Sequence, residues 1–285
     1  MSSLPAPASA EDHREHYAKL CSYSGPPAKN VPWHDLAFSA RDGSSLTLRL
    51  YGKNSSGYPS PLLLWFHGGG YVAGSLDTHH AALTQLASRA NGRIAHLAYR
   101  TGPEHRFPTA LNDAEDALRF CRESSELAGP KTQIVVGGDG AGGNLAAALA
   151  LRSPSEIAGQ VLLYPTLDAT FAGKSWRENS DDYIGSAAET AALNLLYATD
   201  EKEFSDPAFS PLLAPDLSSA PRAFLFLTEL DPALSDGQAY VEKLRAAGVQ
   251  VRVKIYPEVP HGLLTMGGSV PASRELLGDL AAVLG

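Results

Sequence analysis

Short apolar runs separated by amphipathic stretches set the rhythm of this chain. Leu62 to Phe66, Ile94 to Tyr99, Ile134 to Val136, Val161 to Tyr164 and Phe224 to Thr228 have the largely unbroken apolar character of strands covered on both faces. Val251 to Tyr256 closes the series, a first strand begins near Trp33, and Ser45 to Tyr51 alternates as an exposed edge strand does. Between the strands, apolar residues fall at helical spacing over about His79 to Ala90, Ala110 to Arg122, Ala141 to Leu151, Gly237 to Ala247 and Ser273 to Leu284. Regular strand-helix alternation predicts an α/β fold with a mostly parallel sheet and right-handed crossovers. From about residue 170 to 205 the rhythm breaks. That stretch carries Trp176, Asp181, Asp182, Tyr183 and a helical run at Ala191 to Tyr197, and it reads as an insertion over the sheet edge. No repeat and no long linker divides the chain, so a single domain over 1–285 is expected.

Composition narrows the class without changing the architecture. The 285 residues are 44% hydrophobic and 19% charged, which suits a globular domain with a large core. A net charge of -8, with a pI near 5.6, speaks against nucleic acid or an anionic membrane as partner. Cys21 and Cys121 are the only cysteines and have no metal-ligand spacing, so reduced packing thiols are expected, with no metal and no cofactor. The N-terminus lacks the apolar stretch of a signal peptide and no run approaches a membrane span. A cytoplasmic, soluble protein with a small-molecule carbonyl or ester substrate follows, with self-association into a homodimer left open.

Three groups of residues carry chemistry. Gly138-Asp139-Gly140-Ala141-Gly142-Gly143 joins an apolar strand to an Ala-rich helix in the form of a nucleophile elbow, but Gly140 stands where a G-x-S-x-G motif has serine. Glycine has no atom that can attack a carbonyl. His67-Gly68-Gly69-Gly70 follows the run Leu62 to Phe66, and successive glycines let backbone N–H groups approach a ligand, as an oxyanion hole requires. Paired with the elbow, the turn is an oxyanion-hole candidate whose second donor is the N–H of Ala141, the residue after the nucleophile position. Asp231 and His261 each follow a late strand, in the order elbow, acid, histidine, which suits an acid that orients an imidazole acting as base and then as acid. The remaining histidines at 13, 16, 34, 79, 80, 96 and 105 show no comparable placement and read as solvated or packing side chains.

HGGGYVAGSLDTH, YRTGPEHRFPTALNDAEDAL, GDGAGGNLAAALAL, DPAFSPLLAPDL and ELDPALSDGQAYVEKLRAAGVQVRVKIYPEVPHGLL, taken in order, resemble the hormone-sensitive-lipase-like α/β-hydrolases, the alpha/beta hydrolase fold-3 group. The resemblance implies an eight-stranded, mostly parallel sheet flanked by helices and a small cap from about 1–32 and 170–205. It also implies carboxylesterase chemistry on short or medium acyl esters. Members of that group are expected to carry serine at the position of Gly140, aspartate at Asp231, histidine at His261 and oxyanion donors at Gly68, Gly69 and Ala141.

Loss of a serine nucleophile costs on the order of 10⁶ in turnover in a protease triad, so hydrolysis through an acyl-enzyme is not expected of this chain as written. Two explanations follow. Gly140 is an engineered inactivation of an ordinary serine esterase, or it is natural and the site is repurposed for acid/base chemistry without a covalent intermediate: elimination, isomerisation, or an aldol-type or other cyclisation. The residues favour the second, because glycine relieves a strained turn and alanine is the usual engineered choice. A non-catalytic receptor, as in plant hormone receptors of the same group, fits least because both His261 and Asp231 are kept.

The expected pocket wall is Tyr71 beside the glycine turn, Leu167 after the sixth strand, and Trp176, Tyr183, Leu196 and Tyr197 from the insertion. The short N-terminal arm, with His16, Tyr17 and Leu20 at helical spacing, predicts a light cap and an open-sided pocket. Glu104 and Arg106 read as backbone supports.

Overall fold

Every strand and helix expected from the apolar rhythm is present in the computed structural model, which describes residues 9–52, 61–127, 132–179 and 185–284. In chain order these are α1 (Ala10–Cys21), β1 (Trp33–Ser39), β2 (Ser45–Tyr51), β3 (Leu62–Phe66), α2 (His80–Ala87), β4 (Arg93–Ala98), α3 (Thr109–Glu123), β5 (Ile134–Asp139), α4 (Ala141–Arg152), β6 (Gly159–Leu163), α5 (Ser175–Glu178), α6 (Ala187–Tyr197), β7 (Ala223–Leu230), α7 (Leu234–Ala246), β8 (Val251–Pro260) and α8 (Pro271–Val283). The eight strands form one sheet in the order β1-β2-β4-β3-β5-β6-β7-β8. β2 runs antiparallel to both β1 and β4, and the pairs from β4 through β3 to β8 are parallel.

The unbroken apolar runs are explained by burial on both faces. Along β3, Leu62, Leu64 and Phe66 join one core with residues of α3, α4 and α7, while Leu63 and Trp65 join a second core with residues of α2 and α8. All five are at most 1% exposed. The reading of Ser45 to Tyr51 as an edge strand is corrected, because β1 pairs along its outer side. Its polar positions misled: Arg49 is buried and bridges Asp35 of β1 and Asp77.

The insertion also lies elsewhere than over the sheet edge. α6 packs on the glycine turn after β3, where a β-carbon on Gly70 would come 2.5 Å from Leu193 Cδ1 and where the Tyr197 ring stacks on Tyr71 at 4.4 Å. Asp181, Asp182 and Tyr183 fall outside the described residues. Both cysteines are buried and free. Among the described residues, no helix is long and apolar enough to cross a membrane and no cluster of His, Cys, Asp or Glu is arranged to hold a metal ion.

Candidate active site

Parallel strands that enter helices leave their carboxyl ends on one side of the sheet, and the site is built there. β5 ends at Asp139 and α4 begins at Ala141, leaving Gly140 alone to make the turn with φ 53 and ψ -116. Residues with a β-carbon pay about 1–3 kcal/mol in such sparsely populated backbone. The turn is fixed by Gly140 N–H donating to Leu163 O at 3.0 Å and by Gly140 O accepting from Asn144 N–H at 3.1 Å. Gly142 lets α4 press onto β3, since a β-carbon there would come 2.1 Å from Phe66 O.

Asp231 follows β7 and His261 follows β8, and a register irregularity between Thr228 and Leu230 brings the two strand ends to the same place. His261 Nδ1 donates to Asp231 Oδ2 at 3.0 Å. The carboxylate is held in turn by the Thr228 hydroxyl, 2.9 Å from Oδ2, and by Ala233 N–H, 2.7 Å from Oδ1. Asp231 is fully buried, whereas the His261 side chain keeps 18% of its surface exposed. Burial works to lower the imidazole pKa, but the charge and hydrogen bond of Asp231 outweigh it, helped by Asp139 and Glu189, and the net shift is upward. With Nδ1 bonded to a carboxylate, Nε2 carries the lone pair. That atom lies 3.1 Å from the point a β-carbon on Gly140 would occupy. The structure therefore brings Gly140, Asp231 and His261 together from three separate strand ends.

The glycine turn departs from the sequence expectation at one donor. Gly68 N–H donates to Asp139 Oδ1 at 3.1 Å, so it is spent inside the protein and does not face a ligand. Among the described residues no group accepts from the N–H of Gly69, Gly70 or Ala141. Ala141 lies in the first turn of α4, where N–H groups have no helical partner and the helix dipole favours negative charge. Three free donors thus border the turn, with Gly70 in the place given to Gly68.

Beneath the turn lies a buried group that sequence reasoning passed over. His79 Nε2 bonds the Asp139 carboxylate, with contacts of 3.1 and 3.2 Å to its two oxygens. Burial alone would raise the Asp139 pKa, but its interaction and hydrogen bond with His79, with further help from His261, bring it below the ordinary value. His67 donates from Nδ1 to Gly68 O at 2.8 Å, and burial pushes its own pKa down to about 3, so it is neutral. Tyr99 stacks on His67 at 4.2 Å and donates to His67 O at 2.7 Å. The available signal was a carboxylate directly beside Gly140.

α1 roofs the turn. Arg14 donates to Val72 O and Gly102 O, both at 2.9 Å, and pairs with Glu104 at 2.5 Å. The Tyr17 hydroxyl lies 2.8 Å from the β-carbon point of Gly68, and buried His13 faces Glu189 of α6 at 3.6 Å. The open-sided pocket expected from a short arm is thus closed on this side. Arg106 donates to Ala198 O and to Leu195 O, so Glu104 and Arg106 tie α1 and α6 to one loop instead of pairing with each other.

Of the expected wall residues, Tyr71, Leu167, Trp176 and Tyr197 are at most 3% exposed and serve as packing. Trp176 Nε1 donates to Asp236 at 2.9 Å, and Leu167 N–H donates to the same carboxylate. Leu196 is half-buried at the end of α6, while Tyr183 lies outside the described residues. Leu193, not singled out from sequence, packs directly on the turn, its Cδ1 2.5 Å from the β-carbon point of Gly70. Gly185 is a second addition, since its β-carbon point lies 3.7 Å from the His261 ring.

Residues 63–265 match the family model described as alpha/beta hydrolase fold. The chain is 37% identical to an ethyl acetate hydrolase of Pseudomonas putida over 85% of its own length and 78% of the relative's. It is 32% identical to the carboxylic ester hydrolase LipN of Mycobacterium tuberculosis over 95% of its length and 76% of the relative's. Among solved structures it is similar to a hyperthermophilic esterase from the archaeon Pyrobaculum calidifontis, with a TM-score of 0.89 and 30% identity, covering 97% of this chain and 93% of the other. These relatives correct the expectation of repurposed cyclising, eliminating or isomerising chemistry, since each is described as an esterase or ester hydrolase. Relief of backbone strain at Gly140, which favoured that expectation, is the same whatever reaction the site serves.

Proposed function

Since the chain belongs to the alpha/beta hydrolase fold family, we propose that it is a carboxylesterase scaffold for small esters in which a serine-to-glycine change at position 140 has removed the nucleophile. One observation carries the reading. Gly140 holds the strained turn of a nucleophile elbow, and the imidazole that would deprotonate a serine there is already aligned, with Nε2 3.1 Å from the β-carbon point. In this reading Asp231 fixes the tautomer of His261 and stabilises it when protonated. Gly69, Gly70 and Ala141 then receive the negative charge that develops on the carbonyl oxygen. Without a hydroxyl at 140 the acyl-enzyme route is closed.

The Gly140→Ser variant tests the proposal. Assayed with para-nitrophenyl acetate beside the unmodified chain, it is expected to show a burst of nitrophenol and a gain in turnover approaching 10⁶, the factor lost when a triad serine is removed. A folded serine variant that gained nothing would remove the carboxylesterase reading.

A further inference from the structure

We propose that the unmodified chain catalyses acyl transfer directly from an ester to water or a small alcohol seated over Gly140, with His261 as general base and no acyl-enzyme. The inference rests on the esterase reading of the same site and concerns what that site does with glycine in place.

The space beside the base is the first observation. Around the β-carbon point of Gly140, among the described residues and apart from its chain neighbours, the only atoms within 4 Å are Nε2 of His261 at 3.1 Å and Cε1 at 3.5 Å. Of the described side chains, a small hydroxyl-bearing molecule placed over Gly140 therefore meets the imidazole first. The base is the second observation. Asp231 takes the Nδ1 proton at 3.0 Å, which directs the Nε2 lone pair into that space. The third is access, because the 18% exposure of the His261 side chain lets solvent supply the nucleophile.

The reaction balances without a further reagent. As the oxygen of water or alcohol bonds to the ester carbonyl carbon, its proton passes to Nε2 and the carbonyl oxygen becomes an oxyanion facing the N–H groups of Gly69, Gly70 and Ala141. Collapse re-forms the carbonyl and breaks the bond to the leaving oxygen, which takes its proton from Nε2 and leaves His261 as it began. Water yields an acid and an alcohol, and methanol yields a methyl ester and the same alcohol. A positioned general base contributes about 10² to 10⁴.

The test uses the unmodified protein, para-nitrophenyl acetate and added methanol, reading nitrophenol release and methyl acetate together. Expected are linear release without a burst, about 100-fold faster than in His261→Ala, and formation of methyl acetate when methanol is added. Gly140→Ala, shown by circular dichroism to be folded, places a methyl group where the nucleophile sits and should fall to the His261→Ala rate. Equal release by the unmodified chain and His261→Ala overturns the proposal, and so does a folded Gly140→Ala at full rate. If Gly140→Ser is active while the unmodified chain is silent, this inference fails alone. If Gly140→Ser is also inactive, the esterase reading falls with it.

Discussion

The main-chain N–H of Gly68 donates to the carboxylate of Asp139 at 3.1 Å, joining the loop after β3 to the residue that precedes Gly140. The two sides of the site are thereby fixed to each other, and His79 Nε2 hydrogen-bonds the same buried carboxylate. Asp139→Asn removes that charge and leaves an amide N–H facing either Gly68 N–H or His79. Leaving a buried donor without its acceptor costs about 1–3 kcal/mol of stability. In the Gly140→Ser background a loosened oxyanion loop should lower kcat by about 10² to 10³ with little change in KM. A variant that loses stability but keeps its kcat would show that the pair supports the fold only.

Asp231 controls both the direction and the basicity of His261. Asp231→Asn in the Gly140→Ser background should lower kcat about 10⁴-fold, the effect of the same change in a protease triad. The pH profile carries the sign. A base works when neutral, and Asp231 raises the His261 pKa, so the rising limb of activity should lie above the ordinary histidine range of about 6.5. Removal of the charge should move that limb to lower pH. A profile that kept its position would separate Asp231 from the titration of His261.

Much of this was legible in the chain. Strands such as β3 announced themselves because burial on two faces leaves no polar position, and Gly140, Asp231 and His261 announced themselves by order and by the strand ends they follow. Gly68 was expected among the ligand-facing donors because a run of three glycines has no internal landmark. Only the position of Asp139 shows which N–H is consumed. His79 was overlooked for a related reason: it follows an ordinary loop, and its partner lies on another strand. Trp176 and Tyr197 were taken for pocket wall because aromatic residues in an insertion look the same whether they face a ligand or anchor the insertion. Arg49 misled the reading of β2, since its partners Asp35 and Asp77 are invisible to a period-two pattern.

Gly142 shows how tightly the elbow is built. A β-carbon there would lie 2.1 Å from Phe66 O and 2.6 Å from His67 O, both backbone atoms that cannot turn aside. Gly142→Ala should therefore push α4 off β3 and destabilise the protein by about 3 kcal/mol or more, beyond the usual 1–3 kcal/mol of overpacking. Urea unfolding would measure it. A loss under about 1 kcal/mol would mean that α4 shifts freely, contrary to the rigid elbow described above.

Asp236, in the first turn of α7, anchors the segment after β6. Its Oδ1 accepts from Trp176 Nε1 at 2.9 Å, and its Oδ2 accepts from Leu167 N–H and Asp168 N–H, both at 3.1 Å. Burial pushes its pKa up from 3.8 to about 7, the charge of Asp168 adds to the rise, and the three hydrogen bonds only partly oppose it. The folded protein thus holds this proton more tightly than the unfolded chain. Its contribution to stability is complete below 3.8 and is lost as pH rises through about 7. Asp236→Asn has no such titration, so its stability should be flatter between about pH 4 and 7. The amide also presents N–H groups toward a site made of N–H donors, at a cost of about 1–3 kcal/mol that is largest, relative to the native residue, at the acid end. Urea unfolding of the two proteins across this range checks both effects. Parallel pH dependences would assign the native slope to other groups and leave Asp236 ionised throughout.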